Sequence, residues 1–142
     1  MIDSVVIATD GSESVERAVE VALDLARRFD AVVHALYVVD TEEVNSSPER
    51  LREDLAAALE EQAEDALAEI EGRADRDVVT AVRSGRPADE ITTYAREHDV
   101  DLVATGTRGR HGENRFLLGS VAERVVRGCS QPVLTVRQLG ER

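Results

Sequence analysis

The chain contains no lysine, no tryptophan and a single cysteine, Cys129. Aromatic residues supply only 3% of its 142 residues, so a core must be built from Val, Leu, Ile and Ala. One cysteine excludes an internal disulfide framework and is typical of a reducing compartment. The sequence also lacks an apolar run long enough to span a bilayer and a signal-peptide pattern at its start. We therefore expect a cytoplasmic protein without a membrane partner.

Acidic residues outnumber basic ones, and all the strongly basic residues are arginines. There are 29 aspartates and glutamates against 17 arginines, and the formal net charge is −12 at pH 7. This balance argues against a nucleic-acid partner, because binding to the phosphate backbone requires a cationic surface. Dense carboxylates without lysine are typical of a protein that stays hydrated in concentrated salt, so we hypothesise a halophilic origin. The alternative is an ordinary acidic bacterial protein from a GC-rich genome.

Short apolar runs alternate with amphipathic helical patterns along the chain. Strands are predicted at residues 4–9, 31–39, 77–82, 101–105 and 132–136. Helices are predicted at about residues 15–29, 48–70, 87–98 and 120–128, with a polar connector at 40–47 and a turn at 84–87. Continuous apolar strands that alternate with helices indicate an α/β fold with a parallel sheet covered on both faces. We expect residues 1–142 to form one domain.

Chemically distinctive residues directly follow three of the predicted strands. They occupy segments 9–11, 38–40 and 106–109. In open parallel sheets the ligand crevice lies beyond the carboxyl ends of the strands. These segments are far apart in sequence, and the pattern predicts that they converge in space.

The segment from Gly106 to Ser120 contains the most specific motif. Gly106 and Gly109 follow a strand, and Gly119 and Ser120 open a predicted helix. Glycines let backbone N–H groups approach a charged ligand, and a helix N-terminus favours anions, so the motif predicts a phosphate site and hence a nucleotide. It is not a Walker A loop, because the chain has no lysine. It also differs from the dinucleotide fingerprint, because Gly11 lacks a second glycine in the required place.

The motif closely resembles that of the universal stress protein family in its ATP-binding branch. The family pattern is Gly-x-x-Gly, nine residues, then Gly-Ser/Thr, and residues 106–120 match every position. The resemblance extends to residues 9–12, 37–40, 85–87 and 132–136. It implies a three-layer, Rossmann-like fold of the adenine nucleotide alpha hydrolase-like type. In that fold an open sheet of five parallel strands has the order 3-2-1-4-5, with helices on both faces.

The resemblance also assigns roles to the matching positions. It implies that the backbone of Val38 faces the adenine, that Asp10 lies near the ribose and phosphates, and that Ala8 and Thr9 form the adjacent wall. Gly106 and Gly109 would admit the ribose-phosphate, and Gly119, Ser120 and Val121 would hold phosphate oxygens. Arg108 and Arg110 lie at positions that vary in the family, and their positive charge can pair with phosphates. The implied ligand is ATP, or AMP or ADP in its place. Magnesium would be carried on the phosphates, because the sequence shows no dedicated carboxylate cage.

Each assignment has a simpler alternative. The glycines at 106 and 109 could form only a turn, Asp10 could cap the first helix, and Ser120 could be an N-cap without a ligand. We interpret His34 as a packed residue of the second strand and Cys129 as a core residue on the apolar face of the last helix. The spacing of the three histidines does not predict a zinc site.

The function that the sequence indicates is that of a small ATP-binding regulatory protein rather than an enzyme. No lysine can neutralise a leaving phosphate, and no nucleophile–base arrangement is suggested. The resemblance implies slow hydrolysis or none, and a homodimer formed through the last strand, Val133 to Val136. One alternative is an adenylate-transferring or ATP-hydrolysing enzyme of related fold. A second alternative is a partner-binding module without nucleotide.

Overall fold

The computed structural model describes residues 1–108 and 119–139 of the chain. Within them, strands and helices alternate as the sequence predicts. The strands are β1 (Ser4–Thr9), β2 (Val32–Asp40), β3 (Val78–Gly85), β4 (Leu102–Gly106) and β5 (Val133–Val136). The helices are α1 (Glu16–Phe29), α2 (Thr41–Asn45), α3 (Glu49–Arg73), α4 (Pro87–Glu97) and α5 (Ser120–Gly128), and a 3-10 turn, Glu13–Val15, precedes α1.

The five strands form one parallel sheet in the order β3-β2-β1-β4-β5. This confirms the predicted fold class and strand order. The sheet is parallel because every connection between neighbouring strands returns through a helix. The chain leaves β1 towards β2 on one side and later reaches β4 on the other, so the order switches at β1. Crevices that bind ligands open at such switch points.

Two apolar layers cover the sheet. One face packs against α1 and α3 around residues such as Val5, Ile7 and Tyr37. The opposite face packs against α4 and α5 around residues such as Val6 and Leu36. Alternate residues of β1 and β2 therefore belong to different layers, as the period of a strand requires.

The longest helix, α3, buries one narrow apolar stripe and exposes acidic side chains on the rest of its surface. Its buried residues are Leu59, Ala63, Leu67 and Ile70, at spacings of three or four residues. Because the remaining positions are mostly charged, this helix of 25 residues is amphipathic and does not resemble a membrane span. Across residues 1–108 and 119–139, no helix combines the length and the apolar character that crossing a bilayer requires.

A cluster of rings, of which His34 and Tyr94 are buried, joins α4 to β2. Nδ1 of His34 lies 2.7 Å from Oη of Tyr94, and the rings of Tyr94 and His98 stack with 3.9 Å between their centres. The guanidinium of Arg83 lies 4.9 Å from the centre of the Tyr94 ring and donates a hydrogen bond of 2.6 Å to Glu97. Burial lowers the pKa of His34, and the nearby His98 adds to this effect. His34 is therefore a packed residue, as the sequence predicted.

The structure differs from the sequence-based prediction in three places. Residues 41–45 form the short helix α2, where a polar connector was expected. The helix forms because the Asp40 carboxylate accepts a 2.9 Å hydrogen bond from the backbone N–H of Glu42, which is the role of an N-cap. Strand β3 extends to Gly85, because Ser84 and Gly85 pair with the end of β2 instead of turning. Cys129 lies just beyond α5 rather than within it, and packs partly buried against the core.

Candidate functional site

A cavity of about 400 Å³ opens beyond the carboxyl ends of β1, β2 and β4. This volume lies in the range of pockets that bind small ligands. The cavity is lined from β1 and the following loop, from β2 and α2, from β4, and from the first turns of α4 and α5. The lining residues with a part in the argument below are Ala8, Thr9, Asp10, Leu36, Val38, Asp40, Glu43, Pro87, Ile91, Gly106, Arg108, Gly119, Ser120 and Val121.

The loop after β1 is held in place by its own polar side chains. Oγ1 of Thr9 accepts a 3.0 Å hydrogen bond from the N–H of Gly11. Oδ1 of Asp10 accepts hydrogen bonds from the N–H of Ser12 at 2.9 Å and from its hydroxyl at 2.6 Å. Gly11 has a φ of +76°, which is left-handed and suits glycine. Asp10 is therefore not a helix cap, and its carboxylate fixes the wall of the cavity from within the loop.

Backbone hydrogen bonds fix the two ends of the connection between β4 and α5. The N–H of Thr107 donates to the carbonyl of Val136 at 3.2 Å, and the carbonyl of Thr107 accepts from the N–H of Gly119 at 2.6 Å. Gly119 is the N-cap of α5, and Ser120 is its exposed first residue. The alternative of Ser120 as the N-cap is wrong. The N–H groups in the first turn of a helix have no acceptor within the helix, because no helical carbonyl precedes them by one turn. In α5 the residues of this turn, Ser120 and Val121, line the cavity together with Gly119.

Arg108 brings a positive charge to the same end of the cavity. Among the residues that the structure describes, it is the one cation that lines the cavity. Its Nε is buried, and within the same residues no hydrogen-bond acceptor reaches it. A buried donor left unpaired costs about 1–3 kcal/mol. A guanidinium and a helix N-terminus side by side therefore create a requirement for an anion, which phosphate oxygens meet well.

The opposite end of the cavity is formed by β2, α2 and α4. Apolar contact comes from Leu36 and Val38 on the strand and from Ile91 on α4. The polar groups are carboxylates, contributed by Asp40 and Glu43. This end can enclose a flat apolar group and accept hydrogen bonds, whereas the end near Arg108 can bind negative charge.

All the predicted site residues that fall in the described part of the chain line this one cavity. They are Ala8, Thr9, Asp10, Val38, Gly106, Arg108, Gly119, Ser120 and Val121. The remaining one, Gly109, lies outside the described residues. The ends of β1, β2 and β4 therefore converge on one cavity, as the sequence predicted.

Sequence reasoning missed the residues at the α4 and α2 side of the cavity. Leu36 could have been found, because it shares the face of β2 with Val38 at the strand period of two. Asp40 belongs to segment 38–40, which was expected to converge on the ligand, but its side chain was assigned no role of its own from the sequence. Pro87 and Ile91 lie one turn apart at the start of a predicted helix that follows a strand. Glu43 gave no signal, because the short helix that carries it was not predicted.

The two histidines in the described part of the chain do not line this cavity. His34 and His98 belong to the ring cluster between α4 and β2, and His111 lies outside the described residues. Within residues 1–108 and 119–139, no group of three metal-ligating side chains is arranged to hold a metal ion. Among the described residues, the charged side chains that line the cavity are one guanidinium, of Arg108, and the carboxylates of Asp10, Asp40 and Glu43.

Comparison with known proteins identifies similar chains. The universal stress protein family matches residues 1–137. A universal stress protein of Methanocaldococcus jannaschii is 38% identical over 138 residues, which cover 94% of this chain and 81% of that protein. The two proteins are thus similar along nearly their whole lengths.

Solved structures are similar as well. The universal stress protein UspA from Lactobacillus plantarum is 26% identical with a TM-score of 0.83, over 96% of this chain and 98% of that one. The universal stress protein from Archaeoglobus fulgidus in complex with dAMP is 26% identical with a TM-score of 0.65, over 96% of this chain and 100% of that one. Both share the layered parallel sheet described above.

Proposed function

The chain belongs to the universal stress protein family, and from this premise we propose that its cavity binds an adenine nucleotide, with ATP as the physiological ligand or AMP or ADP in its place. The observation that carries the proposal is the buried Nε of Arg108, which has no acceptor among the described residues and belongs to a side chain that lines the same cavity as the N-terminus of α5. Both features need an anion, and both line the same cavity as the predicted site residues. The Archaeoglobus fulgidus relative, whose solved structure is a complex with dAMP, supports an adenine nucleotide as the source of that anion.

The geometry supports one orientation of the nucleotide. Its phosphates lie against Gly119, Ser120 and Arg108, and its base lies against Val38 and Ile91 at the other end. Magnesium is bound by the phosphates, since the cavity lacks a carboxylate cage around its cationic end within the described residues. This arrangement satisfies the guanidinium and covers the apolar walls at the same time.

The proposed role is regulatory, with nucleotide occupancy as the signal and hydrolysis slow or absent. The chain has no lysine to stabilise a leaving phosphate, and the carboxylate of Asp10 is engaged by its own loop. An adenylate-transferring or ATP-hydrolysing enzyme would need a group that activates water or another nucleophile. Incubation with magnesium-ATP separates these functions, because turnover of about 1 per second or faster would establish an enzyme.

Identification of the bound nucleotide tests the proposal directly. The protein is purified without added nucleotide and denatured, and the released small molecules are identified; we expect adenine nucleotides. Calorimetric titration of the emptied protein with ATP and AMP then gives the dissociation constants.

A matched pair of arginine variants tests the site. Arg108→Gln removes the guanidinium, and we expect it to weaken binding by roughly tenfold to a hundredfold, since hydrogen bonds to charged groups contribute about 1.5–3 kcal/mol. Arg124→Gln removes the same charge from an exposed position of α5 and should leave the affinity unchanged. The proposal is wrong if the wild-type protein binds no adenine nucleotide, or if both variants bind as the wild type does.

A further inference from the structure

The carboxylate of Asp40 lies half-buried in the cavity wall without a cationic partner. Its Oδ1 accepts the 2.9 Å hydrogen bond from Glu42 that caps α2. Within the described residues, no arginine or histidine forms an ion pair with it, although the neighbouring Glu42 pairs with Arg86. A carboxylate accepts hydrogen bonds through both of its oxygens, and the capping bond engages Oδ1. A hydrogen-bond donor of a ligand in the cavity can therefore pair with this carboxylate.

The position of Asp40 is opposite to that of Arg108. Asp40 ends β2 and Arg108 follows β4, and β1 lies between these strands. Neighbouring strands are about 4.8 Å apart, so β2 and β4 themselves lie about 10 Å apart across the sheet. That distance is comparable to the one between the phosphate of a nucleotide and the far part of its nucleoside. A ligand whose phosphate pairs with Arg108 therefore presents its nucleoside to Asp40.

A carboxylate accepts hydrogen bonds and donates none. It favours a ligand group with an O–H or N–H, and disfavours a carbonyl oxygen or a second phosphate at the same place. Glu43 lines the same end and adds a second acceptor of the same kind. This end of the cavity therefore favours ligand groups that donate hydrogen bonds over groups that only accept them.

Building on the proposed function, we propose that Asp40 determines which nucleotides enter the cavity. It accepts a hydrogen bond from an uncharged donor of the nucleoside, which is either a ribose hydroxyl or the 6-amino group of adenine. It rejects nucleotides that have an acceptor or a negative charge in that position.

The variant Asp40→Asn removes the charge and keeps the fold. Asparagine is as good an N-cap as aspartate, so α2 retains its first hydrogen bond. The asparagine amide both donates and accepts, so it can tolerate a carbonyl where the carboxylate cannot. Asp40→Ser is a second variant with an uncharged capping residue. It is used if the unfolding midpoint of Asp40→Asn differs from that of the wild type. Asp89→Asn, at an exposed position in the first turn of α4, is the control for the loss of one negative charge.

Calorimetric affinities for four nucleotides test the proposal. They are AMP, its 2′-deoxy and 3′-deoxy forms, and IMP, which has a 6-keto group in place of the 6-amino group. We expect the wild type and Asp89→Asn to bind at least one of the three analogues roughly tenfold or more weakly than AMP. In Asp40→Asn the affinities for AMP and for that analogue should differ only by a fewfold or less.

Each outcome of this experiment decides the proposal. The quantity compared is the affinity for AMP divided by the affinity for each analogue. If Asp40→Asn lowers this ratio for a deoxy form, the donor is the ribose hydroxyl; if it lowers the ratio for IMP, the donor is the 6-amino group. Equal ratios in the wild type and in Asp40→Asn overturn the role of Asp40 and leave the proposed function intact. A wild-type protein that does not bind AMP overturns both.

Discussion

Gly106 is constrained by the packing of its own backbone as well as by its place in the cavity wall. A Cβ at this position would lie 3.0 Å from the carbonyl oxygen of Ser14 and 3.5 Å from Cα of Val15. The sequence motif suggested only that this glycine lets a ligand approach. The structure adds that the end of β4 and the 3-10 turn before α1 are in contact there, which no local pattern could reveal.

We therefore predict that Gly106→Ala destabilises the protein in the absence of any nucleotide. The added methyl forces a shift between two backbone segments, for which about 1–3 kcal/mol of unfolding free energy is expected. Urea unfolding measures the loss. The control is Gly72→Ala in α3, where a Cβ meets nothing within 4 Å and helix propensity predicts a gain of about 0.5–1 kcal/mol. Equal stabilities of the two variants would contradict the packing argument.

Between elements, the ring cluster that joins α4 to β2 makes stability depend on pH. The pKa of His34 is lowered by burial and by the neighbouring His98, so the unfolded chain binds a proton at higher pH than the folded one. The stability contributed by neutral His34 is complete above about pH 6.5 and is lost as the pH falls towards the lower, folded-state pKa. The charged groups around the ring cluster are Arg83, Glu90 and Glu97.

We predict that the free energy of unfolding decreases on acidification from about pH 7.5 to about pH 5.5, by at most about 1.4 kcal/mol per pH unit for this one group. Urea unfolding at several pH values gives the slope. In His34→Phe the slope should be clearly smaller. His98→Gln keeps His34 and removes the neighbouring charge, so it should reduce the slope only in part. A slope that is the same in His34→Phe and in the wild type would refute the assignment.

The elements that sequence could predict are those whose periodicity is long enough to recognise. The strands and the long helices are present, and the strand order is confirmed. The short helix α2 was missed because it has five residues, fewer than two turns, and depends on one capping hydrogen bond from Asp40. The same limit applies to the site: residues within motifs were found, whereas Glu43 on α2 and Ile91 on α4 reach the cavity only through tertiary packing.

The edge strand β5 remains our predicted surface for a homodimer. Val133, Leu134 and Thr135 are half-buried at the open edge of the sheet, and unpaired edges favour association with another strand. We predict that Thr135→Asp shifts the protein towards monomer, because it places a charge on an otherwise uncharged edge that a second strand would have to cover. Sedimentation velocity measures the shift. Thr80→Asp, on the exposed opposite edge β3, should not change the assembly, and a monomeric wild type would contradict the prediction.

For the molecule as a whole, the net charge of −12 predicts a dependence on salt. At low ionic strength the carboxylates repel one another over about 10 Å or more, and in molar salt this range falls to about 3 Å. If the origin is halophilic, the thermal midpoint should rise substantially between dilute buffer and about 2 M KCl. Sucrose, which stabilises without screening charge, is the control solute. Equal midpoints in dilute buffer and in KCl would count against a halophilic origin.

The residues of the cavity wall are spread along the sequence from Ala8 in β1 to Ala122 in α5. A ribosome that has synthesised β1 to β3 has produced the carboxylate end of the cavity but neither Arg108 nor α5. A nascent chain therefore cannot hold the ligand as the finished protein would. If a nucleotide binds as proposed, its binding free energy would therefore add to the stability of completed molecules only.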